Sequence, residues 1–284
     1  MVQHTEFFDS DHFENNYHRI PPPAGLSALI DFFWETRFDQ LWASHPKGFS
    51  DAQFANIGYT YIINLGTPCV MQVGDKKTGM KADAFLPRYN PIECFHKPGN
   101  HLFGIKFRIS PVVVKKKVNF SEYRGYIYPL SYLLEPAVIA QVKEAGAFED
   151  RISILSNYFF SELAGAGQAL HPVEIVSDIL DQCFQHNRFT IPVEELAGHY
   201  GLSTRTLQRY FEICTGVSSK QALQVMRIRK ATAHLVHSPG NFDSALYGYY
   251  DHSHFYKHLK QFVQGCRFRH RQPHLALLAL LHKV

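Results

Sequence analysis

IPVEELAGHYGLSTRTLQRYF, from Ile191 to Phe211, is the stretch on which the organisation of this chain depends. Val193, Leu196, Ala197 and Tyr200 fall at i, i+3, i+4 and i+7, which places one apolar face on a short helix. Pro192 stands where a first-turn proline costs no hydrogen bond. Gly201 then ends the helix, because glycine takes a positive φ without steric cost. Ser203 is placed to cap a second helix whose inner face is Leu207, Tyr210 and Phe211. Ala197 is small enough to let the two helices approach closely. Helix, glycine turn and capped helix together predict a helix-turn-helix. The second helix leaves Arg205, Gln208 and Arg209 facing outward. In a major groove arginine suits guanine and glutamine suits adenine, so these three are candidate base-reading residues. An ordinary helical pair with a charged outer face is the alternative.

The motif recurs downstream. Ser218 and Ser219 can cap a long helix, Lys220 to His237, with Leu223, Met226, Ala231 and Leu235 inward, and Pro239-Gly240 breaks it. Ala197-x3-Gly201 is then echoed by Ser244-x3-Gly248. Ser203 is echoed by Asp251, Leu207 by Phe255 and Phe211 by Leu259, each one place further from its glycine. Two such units on one long helix would reach two successive major-groove segments. A basic face is expected from Arg205, Arg209, Lys220, Arg227, Lys257 and Lys260. Upstream, His171-Pro172 opens a helix carrying Val173, Val176, Ile179, Leu180 and Cys183.

A length of 284 residues favours two domains. With 45% hydrophobic and 14% aromatic residues, the chain has ample core material and is not disordered. The formal net charge is only +4, but it is unevenly spread. From His171 onward there are 13 Lys and Arg against 8 Asp and Glu, so the remainder is nearly neutral. That asymmetry fits a nucleic-acid module joined to something else. The five cysteines (Cys69, Cys94, Cys183, Cys214, Cys266) are scattered and form no Cys-x-x-Cys pair. Reduced thiols in a cytoplasmic protein are the expectation. No signal-peptide-like or membrane-spanning run is apparent, and the apolar tail Leu275 to Leu281 is too short to cross a bilayer. A last docked helix or a dimer contact is expected there.

The first part of the chain is rich in strand formers. Phe32 to Phe38 reads as a strand, although Leu29 to Trp34 could equally close a helix. Tyr59 to Leu65 is a strand ended by Gly66, with Cys69 to Val73 as its expected hairpin partner and Gly74-Asp75 as the next turn. Gly104 to Ile109 alternates, with Ile105, Phe107 and Ile109 on one face and Lys106 and Arg108 on the other, which predicts a half-buried strand. Two helices follow: one carries Val138, Ile139 and Val142, the other Ile152, Leu155, Phe159 and Leu163 over about three turns. They are expected to pack on their own sheet or to carry dimerisation. Ala164 to Gln168 is small and flexible and marks a boundary. The expected fold is therefore an α+β N-terminal domain, 1–165, a small β-barrel or sandwich with helices. An all-α domain, 166–284, follows, with two helix-turn-helix units joined by a long helix.

Residues 171–265 resemble the C-terminal DNA-binding domain of AraC/XylS-type transcription regulators. The resemblance rests on Leu-Ala-x3-Gly-Leu-Ser-x-Arg-x-Leu-Gln-Arg-x-Phe over 196–211, on Arg227-Ile228-x2-Ala231-x3-Leu235, and on the run from Gly248 to Phe255. It implies base contacts from Arg205, Gln208 and Arg209 in the first recognition helix, and from His252, Ser253, Tyr256 and Lys257 in the second. The N-terminal part loosely resembles a sensor-like domain of the same family, through Pro21-Pro22-Pro23-x5-Leu29-Ile30-x3-Trp34 and Gly104 to Arg108. The implied partners are double-stranded DNA, a small-molecule effector, a second copy in a homodimer and, for an activator, RNA polymerase. Two departures stand out. Asp243 occupies a position the family keeps aliphatic, so a stripe of Phe242, Ala245, Leu246 and Tyr249 would rotate or shorten the supporting helix. Gly265 to Phe268 also lacks the family's proline.

His254 and His258 have metal spacing on one helix, but no Cys, Asp or Glu is spaced to complete a site. Glu93, His96 and His101 are the cluster a cupin-like metal enzyme would use, and loop polarity around Pro98-Gly99-Asn100 explains them equally well. A third class is a DNA-binding protein whose N-terminal domain only dimerises. The expectation is a sequence-specific transcription regulator, not an enzyme, with no cofactor, metal or membrane partner.

Overall fold

Aromatic and β-branched side chains crowd the first 110 positions, and pleated, half-covered surfaces suit them. In the computed structural model, which describes residues 10–74, 76–115, 127–165 and 167–264, they form strands. The elements of this part are α1 (Ser10–Asn15), β1 (Tyr17–Ile20), β2 (Ile30–Arg37), α2 (Asp39–Ser44), β3 (Ser50–Gln53), β4 (Tyr59–Asn64), β5 (Val70–Val73), β6 (Lys76–Gly79), β7 (Ala84–Pro87), β8 (Ile92–Phe95), β9 (His101–Phe107) and β10 (Tyr128–Pro129). They make two antiparallel sheets, ordered β1-β2-β9-β4-β7-β10 and β3-β8-β5-β6.

Period-two alternation sends side chains of the larger sheet into two different cores. Trp34, Ile62, Leu86 and Leu102 join Met71, Ile92 and Cys94 of the smaller sheet in one cluster. Phe33, Tyr61, Phe85, Phe103, Ile105 and Phe107 face the opposite way, into a second cluster. There they meet α3 (Pro136–Glu144) and α4 (Phe148–Ala164): Phe159 lies 5.5 Å from Phe107 and 6.4 Å from Tyr61, ring centre to ring centre. These helices therefore cover their own sheet. α4 runs for 17 residues, longer than its sequence pattern suggested.

Two local expectations are corrected. β5 does not pair with β4, whose two edges are taken by β9 and β7; it pairs with β6 and β8 in the other sheet. β9 is covered on both faces, not one. Lys106 is only 7% exposed, and its ammonium donates to the carbonyls of Ile57 at 2.8 Å and Phe107 at 3.0 Å. Arg108 lies beyond the strand end and reaches the Asp181 carboxylate.

From α5 (His171–Gln185) onward the described chain is helical: α6 (Val193–His199), α7 (Thr204–Thr215), α8 (Ser219–His237) and α9 (His252–Gln264), with 3₁₀ turns between α8 and α9. α5 presents Val173, Val176, Ile179, Leu180 and Cys183 to α7 and α8. No described helix is long and apolar enough to cross a membrane. The tail Leu275 to Leu281 lies outside the described residues, as does the stretch Gly265 to Phe268. Cys69, Cys94, Cys183 and Cys214 are buried free thiols, and burial pushes Cys183 up to about 11 and Cys69 and Cys214 up to about 12.

Gly104 shows how tightly the sandwich is filled. A Cβ there would fall inside the Trp34 indole and 2.6 Å from the Tyr61 carbonyl oxygen. Gly104→Ala is expected to destabilise the protein by about 1–3 kcal/mol, the usual cost of overpacking. A lowered midpoint of urea denaturation, monitored by tryptophan fluorescence, is the check.

Candidate nucleic-acid interface

The first helical pair closes as its residue types dictate. Gly201 takes φ +64, and the Leu202 N–H returns to the Ala197 carbonyl at 2.9 Å. Ser203 caps α7, its hydroxyl oxygen accepting from the Thr206 N–H at 3.1 Å. Leu196, Ala197, Leu207 and Phe211 are buried between the helices. Val193, Tyr200 and Tyr210 are half-buried, and the Tyr200 hydroxyl donates to the Asp178 carboxylate of α5. Arg205 and Arg209 point outward. Arg205 has no carboxylate partner among the described residues, and Arg209 lies 5.9 Å above the Tyr210 ring. Gln208 is placed differently. Its amide nitrogen donates to Glu212 at 3.1 Å, and its oxygen accepts from the Ser219 hydroxyl at 3.3 Å and the Ser219 N–H at 3.4 Å. It thus ties α7 to the first turn of α8.

α8 is the strut between the pairs. Ser218 and Gln221 close a capping box at its start. Leu223, Ala231 and Leu235 are buried as their spacing predicts, and Met226 is half-buried. Arg227 departs from expectation. It does not join the outer basic face: it is 8% exposed, donates to the Gly248 carbonyl and lies 3.6 Å above the Tyr249 ring. The Arg227-Ile228-x2-Ala231 pattern contained this signal, since Arg227 sits between the inward positions Leu223 and Ala231.

The second pair is built on the same turn but a shorter support. Gly248 takes φ +75, and Asp251 accepts from the His254 N–H at 2.6 Å, capping α9. Phe255 and Leu259 are buried, as the repeat requires. The support is a single 3₁₀ turn, Ser244–Tyr247. Asp243 accounts for this: its carboxylate accepts from the Ala245 N–H at 2.8 Å, a capping bond that starts the turn there. The expected apolar stripe is corrected. Ser244, Tyr247 and Tyr249 are buried, Phe242 is half-buried, and Ala245 and Leu246 are exposed. Of the second set of candidate residues, His252, Ser253 and Lys257 are exposed and Tyr256 is half-buried against Phe255. Lys257, Lys260 and Lys220 are exposed, with no carboxylate partner among the described residues.

The histidine pairs do different work. His258 bonds the Tyr249 hydroxyl through Nδ1 at 2.8 Å, while His254 lies edge-on to the same ring. Burial, with Arg227 and His254 nearby, lowers His258 to about 4. In the sandwich, Glu93, His96 and His101 do not converge. Glu93 accepts from the Ser50 hydroxyl at 3.0 Å. His96 lies between Phe38 and Phe49, with Asp51 at 3.0 Å and Asn100 at 2.7 Å on its two nitrogens. His101 meets Glu35 at 2.8 Å, whose other oxygen accepts from Arg151 at 3.0 Å. Among the described residues no three His, Cys, Asp or Glu side chains are grouped to hold a metal ion.

No protein-family model matches the chain, and no curated protein matches it. Solved structures resemble it at low score. ToxT from Vibrio cholerae O395 superposes with a TM-score of 0.43 at 12% identity, over 95% of this chain and 98% of that one. Wild-type ToxT from strain SCE256 with an unsaturated fatty acid bound gives 0.42 at 10% identity, over 98% and 97%. The AraC-like transcriptional activator CuxR gives 0.31 at 8% identity, over 79% and 89%.

Arg227→Met removes the donor to the part-buried Gly248 carbonyl and the cation above Tyr249. A loss of about 1.5–3 kcal/mol is expected for a hydrogen bond given by a charged donor, measured as a shift in denaturation midpoint. His258 gives a pH signature. Its folded value of about 4 lies below the ordinary 6.5, so between these values the unfolded chain binds a proton that the folded chain does not. Its contribution is complete above pH 6.5 and is lost as pH falls towards 4. Stability measured from pH 7 to 4.5 should therefore fall less steeply in His258→Gln than in the unaltered protein.

Proposed function

We propose that this chain is a sequence-specific DNA-binding regulator of transcription. Residues 166–284 act as the DNA-binding domain through two helix-turn-helix units, and residues 1–165 act as a sensor or dimerisation domain. One observation carries the proposal: two glycine-turned, side-chain-capped helices pack on one strut, with exposed Arg205, Lys220, Lys257 and Lys260 beside them that have no carboxylate partner among the described residues. Unpaired cations on a protein surface are the footprint of phosphate binding.

Arg205 and Arg209 read bases from α7, where each guanidinium can meet a guanine edge with two hydrogen bonds. Gln208 reaches an adenine only by giving up Ser219, so it also orients α7 on its strut. His252, Ser253, Tyr256 and Lys257 face the duplex from α9. Lys257, on the exposed face of α9, suits phosphate contacts better than paired base contacts. A small-molecule effector or a second copy acts through the N-terminal part, and RNA polymerase is a partner if the regulator activates.

The test is binding-site selection with randomised duplex, then titration across salt. Log affinity is expected to fall by about 0.9 per phosphate neutralised for each unit of log salt. Arg205→Ala or Arg209→Ala should relax preference at defined bases at a cost of about 1–3 kcal/mol, whereas Lys257→Ala should weaken all sequences alike and lower the salt slope by about one. A flat salt dependence, or no duplex retained, would overturn the proposal.

A further inference from the structure

The last turn of α7 is completed by the sandwich. A helix leaves its final carbonyls without partners of its own. The Gly216 N–H, at φ +72, returns to Glu212 at 2.9 Å. The next two bonds come from the other half of the chain. The Ser110 N–H, just beyond β9, donates to the Cys214 carbonyl at 2.7 Å. The Tyr89 hydroxyl, just beyond β7, donates to the Thr215 carbonyl. A phenol has one proton to give, so the bond between Tyr59 and Tyr89 is donated by Tyr59, on β4. Gly216 packs directly against these two hydroxyls, which leave no room for a Cβ. Cys214, Thr215 and Tyr59 are fully buried, so water does not replace a lost partner cheaply.

Contacts on either side keep the two halves in register. Arg108 pairs with Asp181 of α5. Arg229 of α8 donates to the Ala55 carbonyl at 3.0 Å, and the Phe262 ring of α9 lies tilted against Phe54, 5.0 Å centre to centre. The end of α7 is thus held by the two central strands of the larger sheet and by the loop after β7. A helix of 12 residues is a rod of about 18 Å. Movement at its anchored end displaces Arg205 at the other.

We propose that the Tyr59–Tyr89 pair is the element that couples the sandwich to the first recognition helix, so that DNA at α7 and the packing of β4 and β7 bias one another. The proposal rests on the DNA-binding function above. Coupling between sites is reciprocal: whatever moves β4 and β7 alters DNA affinity, and DNA alters β4 and β7 by the same factor. Tyr89 and Tyr59 are positioning residues, acting through the Thr215 carbonyl and not on DNA.

Amide hydrogen exchange of the full chain, with and without the duplex recovered by selection, tests this. In the unaltered protein the duplex should slow exchange by at least twofold within 204–215 and change it within 59–64 and 84–89. In Tyr89→Phe the response of 204–215 should persist while that of 59–64 and 84–89 is lost. Tyr59→Phe keeps the Tyr89–Thr215 bond and should lose the response of 59–64 alone, which serves if Tyr89→Phe does not fold. The coupling is overturned if the duplex protects 204–215 but leaves 59–64 and 84–89 unchanged, or if both variants respond like the unaltered protein. A silent 204–215 with no duplex retained overturns the DNA-binding function itself, and is told apart by that retention.

Discussion

The buried guanidinium of Arg227 holds the helical half together. A charge taken out of water is costly unless its hydrogen bonds and surroundings compensate. Here the Gly248 carbonyl and the face of Tyr249 offset part of that cost, while the buried Nε has no hydrogen-bond partner among the described residues. Leucine would fill the space without fixing the angle, whereas a directional donor aimed at the turn glycine sets where α9 leaves the strut. At the first turn of α8 Gln208 performs a similar task for α7 through Ser219. α7 and α9 are thus both tied to α8 by polar contacts, Gln208 to Ser219 and Arg227 to the Gly248 carbonyl.

The larger sheet places a second constraint on the molecule. It is covered on both faces, by the smaller sheet and by α3 and α4, so its central strands have no free surface. Lys106 survives there because two backbone carbonyls take its ammonium. The histidines of this region are likewise consumed by local partners: His96 by Asp51 and Asn100, His101 by Glu35. Side chains that sequence alone offers as a metal cluster instead pin loops and strand ends.

The first helical pair was legible from local rules. A glycine at the turn, a serine cap and four apolar positions at helical spacing act within one or two turns, and the chain folds accordingly around Gly201 and Ser203. The Asp243 departure was legible too, because an aspartate that caps in place of an aliphatic anchor shortens the turn it starts. The error lay in which residues the shortened turn buries. With a 3₁₀ turn the side chains repeat every three residues, and Ser244 and Tyr247 go inward where Ala245 and Leu246 were expected.

Thus the sequence by itself determined the helical repeat, the caps, the strand-rich first part and the outward arginines of α7. Each of these is a matter of neighbours within a few positions. Tertiary structure alone decided that β5 leaves β4 for another sheet, that β9 has no solvent face, and that Arg227 turns inward. It also decided that the carbonyls ending α7 are completed by Ser110 and Tyr89, more than a hundred positions away. Strand pairing and buried hydrogen bonds depend on which surfaces the packed chain brings together, and no periodicity along the chain encodes that.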